Sequence, residues 1–125
     1  METIMADGAV SSTTAGAAAP IDRGHLAGAT FGDSQLEHEL LRLFDRQAVL
    51  LIGRIQACDT RLIGGLAHTL RGSAAGIGAW AVASAAEAAE QAASAADADR
   101  DAAISRLTAA IEEARAEIAL LLELP

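Results

Sequence analysis

One of the three histidines in the chain has an unusual set of neighbours. His68 lies in the segment AHTLRGSAAGIGA, which covers residues 67–79. On a helix with about 100° per residue, four apolar side chains of this region fall close together, and His68 points roughly 160° away from their mean direction. These four residues are Leu66, Leu70, Ala74 and Ile77. The spacing therefore predicts that His68 faces water and not the core.

Small residues surround His68 on this outer face. The face carries Gly64, Gly65, Gly72 and Ala75, with Arg61 and Arg71 at its edges. Each glycine inside a helix costs about 1 kcal/mol relative to alanine, so these glycines bring no stability to a chain that uses alanine freely elsewhere. They predict a flat docking surface, where another macromolecule presses against the helix and reaches the imidazole ring.

Two side chains of the segment suit phosphoryl chemistry. Imidazole is largely neutral and nucleophilic near pH 7. Arg71 follows His68 by one helical turn, and its planar guanidinium group can hold the oxygens of a phosphoryl group on the ring. We interpret His68 as a residue that accepts a phosphoryl group and passes it on, and Arg71 as the residue that stabilises that group.

The segment resembles the signature of histidine-containing phosphotransfer (HPt) domains of two-component phosphorelays. The resemblance rests on His68, the basic residue Arg71, Gly72 and the small residues that follow, and it extends over about residues 21–122. It implies that His68 is the phosphorylated residue and that a ring nitrogen, the outward Nε2, attacks an aspartyl phosphate in line. It assigns no role to Glu90 of the next helix, because a carboxylate would not solvate a phosphate.

The same resemblance implies the partners of the chain. The donor would be the receiver domain of a hybrid sensor histidine kinase, and the recipient would be the receiver domain of a response regulator. The receiver brings the Mg²⁺ and most of the catalytic machinery, so no cofactor is expected on this chain. The chain is expected to be a phosphocarrier and a monomer. No kinase domain is expected, because the sequence contains no glycine-rich nucleotide motif.

The elements that position His68 are predicted to be helices. Residues 1–20 contain no apolar period and predict a disordered segment, and residues 21–125 form the domain. A short helix is expected within residues 21–31, followed by four amphipathic helices over residues 34–57, 61–77, 79–96 and from 97–101 onward. Asp33 is expected to cap the first long helix, and Asp59 or Thr60 the second. The pattern predicts an all-α, antiparallel up-and-down four-helix bundle with a short extra N-terminal helix.

Apolar residues at helical spacing define the expected core. In the first long helix the predicted stripe is Leu36, Leu40, Leu43, Phe44, Leu51 and Ile55, widened by Leu41, Ala48 and Ile52. In the third it is Val82, Ala85, Ala89, Ala92 and Ala96, and in the fourth Ile104, Leu107, Ile111, Ala114, Ile118 and Leu121. Helices tolerate such alanine-rich contact surfaces better than sheets do.

Composition excludes several classes of function. The 125 residues include 17 acidic residues, nine arginines and no lysine, and the net charge of -8 argues against nucleic acid as a partner. The alanine-rich stretch of residues 79–98 is interrupted by charged residues, so no membrane span is expected. The single cysteine, Cys58, and an N-terminus without a signal peptide favour the cytoplasm.

Two questions stay open at this level. The chain could be a helical bundle that only binds a partner or oligomerises, without phosphotransfer. Trp80 could be a partly exposed anchor for a receiver or a cap on the end of the bundle. Metal binding is not expected, because His25, His38 and Cys58 share no ligand spacing.

Overall fold

The computed structural model describes residues 19–57 and 60–124, and within them the chain forms five helices and no strand. Helix α1 spans Arg23–Ala29, α2 Ser34–Ala57, α3 Thr60–Gly76, α4 Trp80–Ala92 and α5 Asp97–Leu122. The packed pairs are α2 with α3, α3 with α4, α4 with α5, and α5 with α2, so the four long helices close into a bundle. The predicted all-α bundle is confirmed. Most of the predicted N-terminal disordered segment, together with Cys58 and Asp59, lies outside the described residues.

Helix α2 begins at the predicted cap but buries a narrower stripe than the sequence suggested. The Asp33 carboxylate accepts hydrogen bonds from the backbone N–H groups of Gln35 at 3.0 Å and Leu36 at 3.1 Å. The assignment of Leu36 and Leu43 to the core was wrong, since their exposed fractions are 36% and 53%. Helices α3 and α5 pack against α2, so one sector of the helix is covered and the neighbouring sector stays in solvent. The covered residues are Leu41, Phe44, Ala48, Leu51 and Ile55.

Helices α3 and α4 meet through small side chains. The buried residues of α3 include Ala67 and Ala74, and those of α4 are Val82 and three alanines. Helix α4 ends at Ala92, four residues before the predicted end, and the expected burial of Ala96 was wrong, because Ala96 is exposed. The reason is local: Ala96 has an extended backbone and is the N-cap of α5.

A clamp of four residues joins the start of α1 to the turn between α3 and α4. The Asp22 carboxylate caps α1 by accepting from the His25 backbone N–H at 3.0 Å, and it accepts from the Trp80 indole N–H at 2.9 Å. The Asp22 backbone N–H donates to the Gly78 carbonyl at 2.9 Å. The hydrogen bond from Trp80, reinforced by that from the His25 backbone, lowers the pKa of the Asp22 carboxyl below its usual value.

The turn itself requires a glycine at position 78. Gly78 has a φ of +80°, and a Cβ atom there would lie 2.9 Å from the Asp22 carbonyl oxygen. Through its hydrogen bond to Asp22, Trp80 ties this turn to the start of α1, and 37% of the residue remains exposed. No helix within residues 19–57 or 60–124 combines the length and the apolar character needed to cross a membrane.

Candidate functional site

His68 lies near the middle of α3 and projects from its outer face. Ala67 and Leu70 on the same helix are fully buried, and they fix the rotation of α3 against the core. The His68 side chain is 60% exposed. The direction predicted from the helical wheel is therefore confirmed, and a large partner can reach the ring.

Arg71 is next to His68, as the one-turn spacing predicts. One terminal guanidinium nitrogen of Arg71 lies 3.2 Å from the Nδ1 atom of His68. The other terminal nitrogen lies 3.7 Å from a Glu90 carboxylate oxygen and 3.9 Å from one of Glu87. The guanidinium group is thus held between the imidazole ring on α3 and two carboxylates on α4.

Glu90 is a member of the site that sequence reasoning left out. Its Oε2 atom lies 3.0 Å from His68 Nδ1. Its Oε1 atom is buried and accepts no hydrogen bond. The sequence spacing on either side of the turn could have predicted this contact. His68 lies ten residues before Gly78 and Glu90 twelve residues after it, which places the two residues at the same height on neighbouring antiparallel helices.

The Nδ1 atom of His68 lies beside both a carboxylate and a guanidinium group, so its hydrogen bonds depend on which ring nitrogen carries the proton. If Nδ1 carries the proton, it donates a charge-assisted hydrogen bond to the Glu90 carboxylate. If Nδ1 lacks the proton, its lone pair faces the carboxylate oxygen and repels it, and only a hydrogen bond from Arg71 compensates. With the proton on Nδ1, the free lone pair is on Nε2, the nitrogen away from Glu90.

The glycines around His68 have no steric role inside the chain. A Cβ atom at Gly65 or Gly72 would meet no atom within 4 Å, and at Gly64 it would meet only the Ala93 methyl group at 3.7 Å. None of the three has a φ in the left-handed region. Ala75 is half-buried. The geometry offers no reason within this chain for three glycines in one helix.

Arg61 stands at the edge of the same face of α3. It is exposed and takes part in interactions of its own. On the helical wheel it falls about 20° from His68, two turns away along the helix. The structure therefore brings Arg61, the glycines and Ala75 onto the face that carries His68.

The surface on the other side of His68 from Arg71 is apolar. Around α3, Gly72 lies about 40° and Gly76 about 80° from His68, whereas Arg71 lies about 60° in the opposite direction. Gly76 belongs to an open groove of about 220 Å³ between α2 and α3, and a second groove continues it along α2. We call both together the α2–α3 groove; its lining residues are Leu40, Leu43, Phe44, Arg46, Gln47, Leu50, Ser73, Gly76 and Ile77.

This groove was not predicted, because Leu43 was assigned to the core. His68 thus separates two different surfaces. Charged side chains lie toward α4, and exposed leucines lie toward α2.

The remaining histidines lie away from this site. The His25 ring packs edge-on against Trp80 with centroids 4.8 Å apart, and His38 lines a pocket between α2 and the end of α5. Within residues 19–57 and 60–124, no group of three His, Cys, Asp or Glu side chains could hold a metal ion. Cys58 lies outside these ranges, and the absence of a metal stays a prediction.

A comparison with known families places the site in context. The family model of the Hpt domain matches residues 34–117, which is more than half of the chain. The matched region contains α2, α3, α4 and most of α5, and with them His68, Arg71 and Glu90. No curated protein and no solved structure matches the chain.

Proposed function

The chain belongs to the Hpt domain family, whose members carry out histidine phosphotransfer in two-component phosphorelays, and on this premise we propose that His68 is its phosphoacceptor. In this proposal His68 takes a phosphoryl group from an aspartate of one receiver domain and passes it to an aspartate of another. The donor is the receiver of a hybrid sensor kinase, and the recipient is a response regulator. The chain acts as a monomeric carrier, with no nucleotide site of its own.

One observation supports this proposal above the others. His68 is exposed, its Nδ1 atom is engaged by Glu90 at 3.0 Å, and its Nε2 atom is left as the nucleophile. A histidine that only covered the surface would need neither the carboxylate at Nδ1 nor the guanidinium group of Arg71 beside it.

The transfer step follows from this arrangement. The Nε2 lone pair attacks the phosphorus atom of the aspartyl phosphate, the N–P bond forms, and the P–O bond to the aspartate breaks, leaving a carboxylate on the receiver. The ring then carries a positive charge, which the Nδ1–H···Oε2 contact with Glu90 stabilises. Arg71 is near enough to donate hydrogen bonds to the phosphoryl oxygens. The Mg²⁺ that neutralises the phosphoryl charge belongs to the receiver.

The receiver is proposed to dock over the glycine-rich face and the α2–α3 groove together. Arg61, Gly64, Gly65, Gly72 and Ala75 form the flat part, and the groove adds exposed apolar side chains such as Leu43 and Leu50. Exposed apolar surface beside a reactive residue is typical of a protein interaction site. The groove begins at Gly76, about 80° around α3 and about 12 Å along it from His68, so one protein partner can cover both.

The experiment that tests this function is phosphotransfer from a labelled receiver. The protein is incubated with phosphorylated receivers, and we expect label that is stable to alkali and labile to acid. The His68→Ala variant should carry no label, whereas His38→Ala, which removes a histidine outside the site, should be labelled normally. No label on the wild-type protein with a panel of receivers, or undiminished label on His68→Ala, contradicts the proposal.

The alternative is a bundle that only binds or oligomerises, and the leucines exposed on α2 favour it. Leu43, Val49 and Leu50 are 53%, 45% and 61% exposed. This alternative expects a dimer in sedimentation velocity and no label on any histidine. A monomeric protein that carries label on His68 favours phosphotransfer over this alternative.

A further inference from the structure

Glu87 places a second carboxylate beside Arg71, and this charge does not suit a site that stores a phosphoryl group. Glu87 and Glu90 lie on one face of α4, three residues apart, and both carboxylates face the guanidinium group of Arg71. A phosphoryl group on Nε2 would bring about two further negative charges to the same place. The two carboxylates therefore compete with the phosphoryl group for the guanidinium group of Arg71.

The contacts of Arg71 are long enough to be exchanged. The distances of 3.7 and 3.9 Å to the carboxylates are those of ion pairs without a hydrogen bond. Glu90 Oε1 is buried and accepts no hydrogen bond from the described residues, so the Arg71 nitrogen that faces it donates none to this oxygen. Arg71 can turn to a phosphoryl group without breaking a hydrogen bond to either carboxylate.

Glu87 can be separated from the chemistry of the ring. Glu90 contacts both His68 and Arg71, and its removal would change the imidazole as well as the charge. Glu87 contacts Arg71 alone among the described partners, and its side chain is 53% exposed. A change at Glu87 therefore reports the electrostatic effect by itself.

We propose that Glu87 sets the phosphoryl-transfer equilibrium of this protein by competing with phosphohistidine for Arg71. The proposal rests on the function proposed above for His68. While Glu87 is charged, the phosphorylated state is stabilised less, so the phosphoryl group leaves more readily for a receiver aspartate. The chain is then suited to transferring the phosphoryl group and not to retaining it.

The test is an equilibrium measurement. Wild type, Glu87→Gln and Glu112→Gln are each mixed with an equal amount of one phosphorylated receiver, and the label on both proteins is measured until the ratio is constant. Glu112 is exposed on α5 and its replacement removes the same charge from the chain. We expect Glu87→Gln to raise the ratio of labelled carrier to labelled receiver about 1.4- to five-fold, the range that exposed ion pairs give, and Glu112→Gln to leave it unchanged.

Two further measurements separate the causes. If Glu87 acts by competing for Arg71, its replacement in an Arg71→Ala background should change the ratio by less than about 1.4-fold, the lower end of that range. The increase should also shrink in 1 M salt, where charges are screened beyond about 3 Å, and the melting temperatures of Glu87→Gln and Glu112→Gln should agree.

The possible failures are distinct. No label on wild type contradicts the function proposed for His68. Normal labelling with the same ratio for Glu87→Gln and wild type overturns the inference about Glu87. A full effect in the Arg71→Ala background shows that Glu87 acts without Arg71 and overturns it as well.

Discussion

Replacing the glycines beside His68 should stabilise the fold when the new residue is alanine and impair docking when it is a large residue. Gly65 and Gly72 are exposed positions inside α3, where an added Cβ atom would meet no atom within 4 Å and φ is not left-handed. Only the difference in helix propensity then remains, and it favours alanine by about 0.5–1 kcal/mol at each site. The positions lie seven residues apart, roughly 10 Å along the helix, so their effects should add to about 1–2 kcal/mol in the double variant.

The assay is urea unfolding followed by the helical circular dichroism signal. The slope of the unfolding free energy against urea should stay constant while the midpoint rises, because the area exposed on unfolding is nearly the same. Gly53→Ala is the matched control, since Gly53 is also exposed inside a helix with open space around it but belongs to α2. It should give the same gain in stability and leave phosphotransfer unaltered.

The functional half of this prediction concerns larger side chains. Gly72→Leu should weaken receiver docking, seen as slower transfer at low receiver concentration, while the helicity stays intact or rises. A loss of stability in Gly65→Ala or Gly72→Ala would refute the claim that these glycines are structurally unnecessary. Unimpaired transfer by Gly72→Leu would refute the docking surface.

Three other outcomes follow from the structure. Gly78→Ala should lower the unfolding free energy by about 1–3 kcal/mol, because the residue is held at a positive φ; an unchanged midpoint in urea would show that the turn relaxes freely. The lowered pKa of Asp22 means that its contribution to stability is complete above its unfolded value of 3.8 and is lost as the pH falls through the lower folded value. The fluorescence of Trp80, the one tryptophan, should therefore change only below pH 3.8, and an earlier change would contradict the clamp. Leu43→Glu should raise the receiver concentration needed for half-maximal transfer, whereas Leu120→Glu, 62% exposed on α5, should not; equal effects would remove the groove from the docking surface.

Helix positions and the direction of His68 could be predicted from the sequence because they depend on local periodicity. The predicted bounds of α2 are the observed ones, and those of α3 differ by one residue at each end. The Asp33 cap is likewise local, since a side chain within three residues satisfies the free N–H groups. The apolar stripe of a helix determines which face turns toward the core. The angle between His68 and that stripe is therefore enough to predict that the histidine is exposed.

The features that could not be predicted depend on which helix lies beside which. Leu43 has the spacing of a core residue, and it is exposed because no helix among the described residues packs over that sector of α2. Glu90 enters the site because α4 returns alongside α3, and an argument based on phosphate charge alone rejected it. The pairing of Asp22 with Trp80 spans 58 residues of sequence, and no local pattern indicates it.

The alanines between α3 and α4 have a consequence for the chemistry at the surface. The separation of two packed helices depends on the side chains at their contact, and here that contact contains Ala67 and Ala74 facing a helix whose interior is nearly all alanine. The narrow gap brings a ring on one helix within 3.0 Å of a carboxylate on the next. A valine at Ala89 would widen that gap and move Glu90 away from His68, although neither reactive group had been altered. The width of the interior thus fixes how closely the carboxylate of Glu90 approaches the ring of His68.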